Sequence, residues 1–449
     1  MPSKPSREEK RRHPSDRRGA RQGVGWCDDA VMGKFKSAKR PAVPQSQQGL
    51  SRREAVHGLC VVTGAAGALC LNATSSGCKK EEPPTGPDMP LPPAPEPARD
   101  NLGSQARTRG LESLRAAIDF LWRQQADDGG IPSRVYEVLK SGQSTTPLVL
   151  LTLLQVPAEV VPIDEARANR AMDNLLRRLD RRGAIGFERE IPDYPCYATS
   201  MALSCAATMQ RAQWKQNWAP AIAWLESQQF KAERGWDGHP ALGGWGMGSE
   251  APRVPPEPGH VDLSMTRRCL EALHSCGYER DSSAFLLARD FVLRCQGPRG
   301  GFIYSPVLAR LNKGEKLDGT PMGYGSATTD GLLALLALGY PPNHPEVLRG
   351  VEVLRTMHQP HENPGIGRKI FQAFREALKG YYRAGASCVF HILGGPVGWR
   401  DAMVTAIADE QRSDGSWLNK NRLQNEDDPL VATTHSVLAL SKALSGGGG

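Results

Sequence analysis

Three side chains pair a titratable group with a setting that could use it: Asp262, Asp330 and His435. Asp262 stands just before an apolar helical run. There a carboxylate either accepts from the first free backbone N–H groups as an N-cap or, turned inward, has its pKa raised by burial until it serves as a general acid. Asp330 follows Tyr324, Ser326, Thr328 and Thr329 and opens the apolar run 331–338. A helix dipole stabilises an acid in that position, but on a buried helix the charge is costly unless it meets water or a partner. His435 lies one turn into the last apolar segment, as a hydrogen-bonded core histidine or as a base. Asp428-Pro429 reads as an N-cap followed by a first-turn proline.

No Cys-x-x-Cys pair and no zinc-finger spacing occurs among the ten cysteines, so neither a metal nor a cofactor is expected. Cys269 and Cys276 share a helical face and read as small buried thiols. Trp236, Trp245, Tyr304, Tyr324, Tyr381, Tyr382 and Trp417 flank the turns and the apolar helices. With Thr328, Trp236, Trp245, Tyr304, Tyr324, Tyr381 and Trp417 are candidates to line a ligand cavity, although rings packed between helices serve any core equally well. The proline-rich loop 238–259 could cover the cavity mouth.

The elements that position these residues come as an internal repeat. Four segments run two apolar residues, three of any type, Gln, then a Gly turn ending in a large residue. They are Phe120-Leu121 with Gln125 and Gly129-Gly130-Ile131, Trp224-Leu225 with Gln228 or Gln229 and Gly235-Trp236, Phe291-Val292 with Gln296 and Gly300-Gly301-Phe302, and Ala406-Ile407 with Gln411 and Gly415-Ser416-Trp417. Two weaker copies start at Leu175-Leu176, which keeps Gly183 without the Gln, and at Val353-Leu354, which runs into a proline-rich stretch. The six anchors are 54, 50, 67, 62 and 53 residues apart, a period that marks a repeat architecture.

Each unit carries two helices of different character. The first is amphipathic, with Leu114, Ile118, Leu121 and Trp122 on one stripe and Arg115, Asp119 and Arg123 opposite. The second is apolar nearly all round, in the segments 145–156, 197–209, 263–275, 331–338, 381–393 and 430–444. A helix without a polar face must be covered on every side. Two concentric rings satisfy all six pairs and leave no exposed end to cap. The expected fold is therefore all-α, an (α/α)6 toroid over residues 104–445, with the apolar helices inside.

Charge excludes one function class. The first 57 residues hold 14 Lys+Arg against 6 Asp+Glu, and the other 392 hold 42 of each sign. The basic excess belongs to a tail, so nucleic acid is not an expected partner. Residues 1–50 read as a disordered basic extension, with Met32 as an alternative start. Residues 51–78 read as a twin-arginine export signal: Ser51-Arg52-Arg53 precedes the apolar run 58–73, which is too short to span a bilayer. Cys78 is a candidate lipid-bearing residue, residues 79–103 a stiff proline-rich linker, and 446–449 a Gly tail. The expected location is periplasmic or membrane-anchored, with possible tethering through the N-terminus.

The repeats, with Asp262-Leu263-Ser264-Met265-Thr266, Gly301-Phe302-Ile303-Tyr304-Ser305-Pro306 and Asp414-Gly415-Ser416-Trp417 ahead of Ala432-Thr433-Thr434, resemble those of squalene and hopene cyclases and of protein-prenyltransferase β subunits. The resemblance covers about 340 residues. It implies a toroid with a central ligand cavity near the inner-helix N-termini, where aromatic rings stabilise carbocations by cation–π attraction. It also implies catalytic motifs that this sequence lacks. No Asp-x-Asp-Asp occurs, and Glu426-Asp427-Asp428 misses the first Asp. No Asp-x-Cys occurs, Asp193 and Cys196 being three apart, and His435 lies three residues beyond the family position near Ala432. The expected function is therefore binding of an apolar or extended small molecule or peptide. The alternatives are an isoprenoid cyclase using Asp330 or Asp262, and a glycan-active enzyme with paired carboxylates roughly 5–10 Å apart.

Overall fold

A computed structural model describes residues 102–446. The basic extension, the twin-arginine segment, Cys78 and all but the last two residues of the linker lie outside the described residues. Six outer helices alternate with six inner ones. The outer set is α1 (Ser104–Arg123), α3 (Glu165–Arg177), α5 (Trp214–Ser227), α7 (Ser283–Arg294), α9 (Pro345–Met357) and α11 (Trp399–Ala408). The inner set is α2 (Thr145–Leu154), α4 (Pro195–Met209), α6 (Leu263–Ser275), α8 (Gly325–Ala337), α10 (Lys379–Leu393) and α12 (Pro429–Leu444). A short helix, Ala373–Ala377, precedes α10.

Burial follows the two helix characters. In α1 the stripe of Leu114, Ile118, Leu121 and Trp122 is buried while Arg115, Asp119 and Arg123 face solvent. In α8 every residue from Gly325 to Leu335 is buried. Each inner helix packs on the next, and α12 returns to α2, closing the ring. The fold is an (α/α)6 toroid.

The turns explain why neighbouring hairpins stay together. The Gln125 side-chain amide donates to the Gly129 carbonyl at 3.1 Å and to the Arg167 carbonyl of α3 at 2.9 Å. Gln296 does the same with Gly300 and Glu346, and Gln411 with Gly415 and Ser113. The last of these joins the sixth hairpin to the first. Gly129 has φ +88°, and a Cβ there would sit 2.2 Å from the Arg170 carbonyl oxygen, so only glycine lets the turn lie against the next outer helix. The residue that follows each turn donates its backbone N–H to an inner-helix threonine: Ile131 to Thr146, Ile185 to Thr199, Trp245 to Thr266, Phe302 to Thr328 and Trp417 to Thr433.

The third turn differs from its sequence reading. Gln229 donates to the Gly243 carbonyl at 3.0 Å and to Ala284 of α7 at 2.7 Å. Gly243-Gly244-Trp245 is thus the true turn. Gly235-Trp236 belongs to an insertion ahead of it, where Trp236 donates to the Arg253 carbonyl and meets Phe230 edge-on at 4.8 Å. Two short strands, β1 (Trp245–Gly246) and β2 (Val261–Asp262), pair antiparallel and lead into α6. A second pair, β3 (Lys316–Leu317) and β4 (Thr320–Pro321), forms an exposed hairpin before α8. In the fifth unit the prolines replace the Gly turn. There the buried Arg383 of α10 donates to the Pro360 carbonyl and pairs with both oxygens of Glu410, at 2.8 and 3.0 Å.

Candidate functional site

Because every hairpin runs outer helix to inner helix, all six inner N-termini gather at one end of the ring, and polar side chains cap them. Asp193 accepts from the Ser144 N–H and hydroxyl ahead of α2. Asn363 accepts from Ser326 at the start of α8, and Glu426 from Gly380 and Tyr381 at the start of α10. Asp428 accepts from Leu430 at 2.9 Å and from the Ser133 hydroxyl at 2.5 Å, the N-cap expected from Asp428-Pro429. These contacts satisfy backbone donors that helix ends leave free.

Asp262 caps α6 and is fully buried. Its Oδ1 accepts from the Met265 N–H at 2.9 Å, and its Oδ2 from the Tyr304 hydroxyl at 2.9 Å. The β1–β2 pair and a Leu263 N–H bond to the Tyr304 carbonyl hold the two residues in register. Burial pushes this carboxyl up to about 7, the Asp330 charge adding to the rise. Capping and a raised pKa therefore coexist, because the helix start that Asp262 caps is itself buried.

Asp330 projects from α8 into an ion-paired cluster. Its Oδ1 accepts from Arg267 of α6 at 2.9 Å and from the Tyr381 hydroxyl of α10 at 2.8 Å. Tyr381 in turn lies 2.8 Å from the Ser264 hydroxyl. Arg267 also donates to Glu271 at 2.7 Å, and Arg268 to the other Glu271 oxygen at 3.1 Å. Burial raises the Asp330 pKa, with the Arg267 guanidinium and the Tyr381 hydroxyl pulling against it. Burial opposes the Arg267 charge too, but the Glu271 and Asp330 carboxylates outweigh it, and its pKa stands well above the usual value. The partner that a buried Asp330 requires is Arg267. His435 packs edge-on against Tyr381, ring centres 5.6 Å apart, with Nδ1 3.7 Å from Glu426.

The structure thus brings Asp262, Tyr304, Asp330, Tyr381 and His435 to one end of the ring, with the buried Tyr324 at the start of α8. Thr328, Trp245 and Trp417 serve the joints between hairpins at that end and do not join the cluster. Thr328 accepts from Phe302 between hairpins, while Trp245 and Trp417 donate their indole N–H groups to the carbonyls of Leu225 and Ile407. Trp236 lies in the insertion. Sequence reasoning missed Arg267, Arg268 and Glu271, although a pair of arginines with Glu at i+3 and i+4 in an otherwise buried helix was the available signal. It also missed Lys313, whose ammonium lies 5.0 Å from the Tyr304 and Phe374 ring centres.

Arg267, Arg268, Tyr381, His435, Thr152 and Leu438 are among the residues that surround a central space of only about 10 Å³. That is room for about one water. Among the described residues no group of three or more His, Cys, Asp or Glu is placed to hold a metal, no helix is long and apolar enough to cross a membrane, and all six cysteines are free thiols.

No family model and no curated protein matches the sequence. Solved structures do. A variant of type II terpene cyclase MstE from Scytonema, in complex with merosterolic acid A, is 16% identical over 76% of this chain and 99% of its own, with a TM-score of 0.50. A glycosidase is 14% identical over 77% of this chain and 99% of its own, TM-score 0.49. A protein from Actinoplanes is 16% identical over 75% and 99%, TM-score 0.44. The likeness to the cyclase supports the helical toroid and carries nothing about substrate.

Proposed function

We propose that this chain is an exported toroid that binds an extended, largely apolar ligand, a small molecule or a peptide, across the mouth of its ring. The carrying observation is how little room the central side chains leave. Pockets that enclose an organic ligand hold roughly 300–1,000 Å³, and the space between Arg267, Arg268, Tyr381 and His435 is about 10 Å³. The rim supports the same reading. Of the nine exposed large apolar side chains among the described residues, six fall one to each outer-to-inner connection: Val135, Ile191, Val254, Leu317, Ile370 and Leu418. The twin-arginine segment ahead of the apolar run 58–73 supports export, and Cys78 would supply a membrane tether in a periplasmic protein.

Purified protein should bind 1-anilinonaphthalene-8-sulfonate, and V254S/I370S/L418S should weaken that binding several-fold with unchanged far-UV circular dichroism. Incubation with squalene or geranylgeranyl diphosphate should give no cyclised product. Cyclised product that disappears in D330N would overturn the reading. A second reading, acid catalysis at Asp262, draws on its carboxyl near neutrality and would require that product to disappear in D262N as well.

A further inference from the structure

The segment between the fourth turn and α8 buries a lysine in an unusual setting. Lys313 is 9% exposed. Its Nζ lies 5.0 Å from the ring centres of Tyr304 and Phe374, 5.9 Å from Tyr324 and 6.0 Å from Phe371. A primary ammonium carries three N–H donors, and the hydrogen bond found for this one is a long contact of 3.4 Å to the Leu311 carbonyl. Burial lowers its pKa to about 8, the Asp262 charge holding it up. The surroundings thus offer aromatic faces and a nearby carboxyl in place of hydrogen-bond acceptors. A quaternary ammonium has no N–H to satisfy, so it leaves no donor unpaired in such a place, and the ring faces and the Asp262 carboxyl offset the cost of desolvating its charge.

We propose that Tyr304, Tyr324, Phe371 and Phe374 form a binding cage for a quaternary ammonium head group, which Lys313 fills until such a ligand displaces it. The lysine is carried on an irregular segment. Behind it, Ser305 and Asn312 bond each other through side chain and backbone, at 3.1 and 3.0 Å. Ahead of it, Gly314 leads to the exposed β3–β4 hairpin. The anchor fixes the near side of the segment and the packing of buried Gly314 against the Met322 carbonyl fixes the far side, so Lys313 leaves the cage by turning its side chain towards the residues exposed from Glu315 onward. The cage does not depend on what lies across the rim, since no rim side chain belongs to it.

The probes are choline and its neutral isostere 3,3-dimethylbutan-1-ol. In the wild-type chain, acetylation by N-hydroxysuccinimidyl acetate, read by peptide mass spectrometry, should be slow at Lys313 relative to the exposed Lys316. Choline should accelerate it at Lys313 alone, and the isostere should not. By calorimetry, K313A should bind choline at least about tenfold more tightly than wild type and tenfold more tightly than it binds the isostere, and K313A/F374A should lose the gain. Labelling of Lys313 that ignores choline overturns the cage even if K313A fails to fold. Equal response to both probes, or no gain in a folded K313A, overturns it as well.

Discussion

The ring is joined in two chemically different ways. Around the outside, Gln125, Gln229, Gln296 and Gln411 link one hairpin to the next through neutral hydrogen bonds to backbone carbonyls. In the lumen, α6, α8 and α10 meet once, through Arg267, Asp330, Glu271 and Tyr381. The outer joint recurs because it needs only a helix end, a glycine and a carbonyl, which every hairpin supplies. The inner joint cannot recur. Charges of both signs must be matched in a space shared by all six hairpins, and one matched set fills it. The fifth hairpin lies between the two types: lacking its Gly turn, it uses the buried Arg383 with Glu410. Repetition is the property of the neutral contact, and individuality that of the charged one.

Substitutions separate the two joints by size of effect. Arg267→Met leaves Asp330 buried without its cation, while Glu271 keeps Arg268, and should cost about 3–5 kcal/mol in urea unfolding. A loss under 1 kcal/mol would mean that the lumen cluster is not an ion pair in solution. The next effect is one of pH. Asp262 has a folded pKa of about 7 against an ordinary 3.8, so the folded chain holds its proton more tightly than the unfolded one. Its contribution is fully present below about pH 4, is lost as pH rises through 7, and stays lost above. Asp262→Asn keeps an acceptor for Met265 and should flatten that decline in melts from pH 4 to 8. An unchanged slope would place the titration elsewhere. Smallest is the neutral joint: Gln411→Ala removes two hydrogen bonds and should cost about 1–3 kcal/mol. A cost equal to that of Arg267→Met would erase the distinction.

What could be read in advance follows the same division. The helix pairs and the outer turns were legible because periodicity and Gly turns are local properties of the chain. The inner helices begin within a few residues of their expected starts. Gly325 is the exception: its helix opens before the apolar run because Asn363, distant in sequence, caps it. The third turn was misread because ten inserted residues place a second Gly-Trp pair, Gly235-Trp236, ahead of the true one, and the clamp selects by position in space. Asp262 and Asp330 could be named as buried acids. Their partners could not, since Tyr304, Arg267 and Tyr381 arrive from other hairpins, and pairing across a ring leaves no mark on spacing.

The Gln411 bond to Ser113 carries a consequence for how this molecule comes apart. In a linear stack the outermost repeat has one neighbour and frays first, so melting can creep inward. Here the sixth hairpin hands on to the first, and each repeat is braced on both flanks. Losing any one breaks the circle and strips support from two others at once, so the whole hoop should give way in a single step.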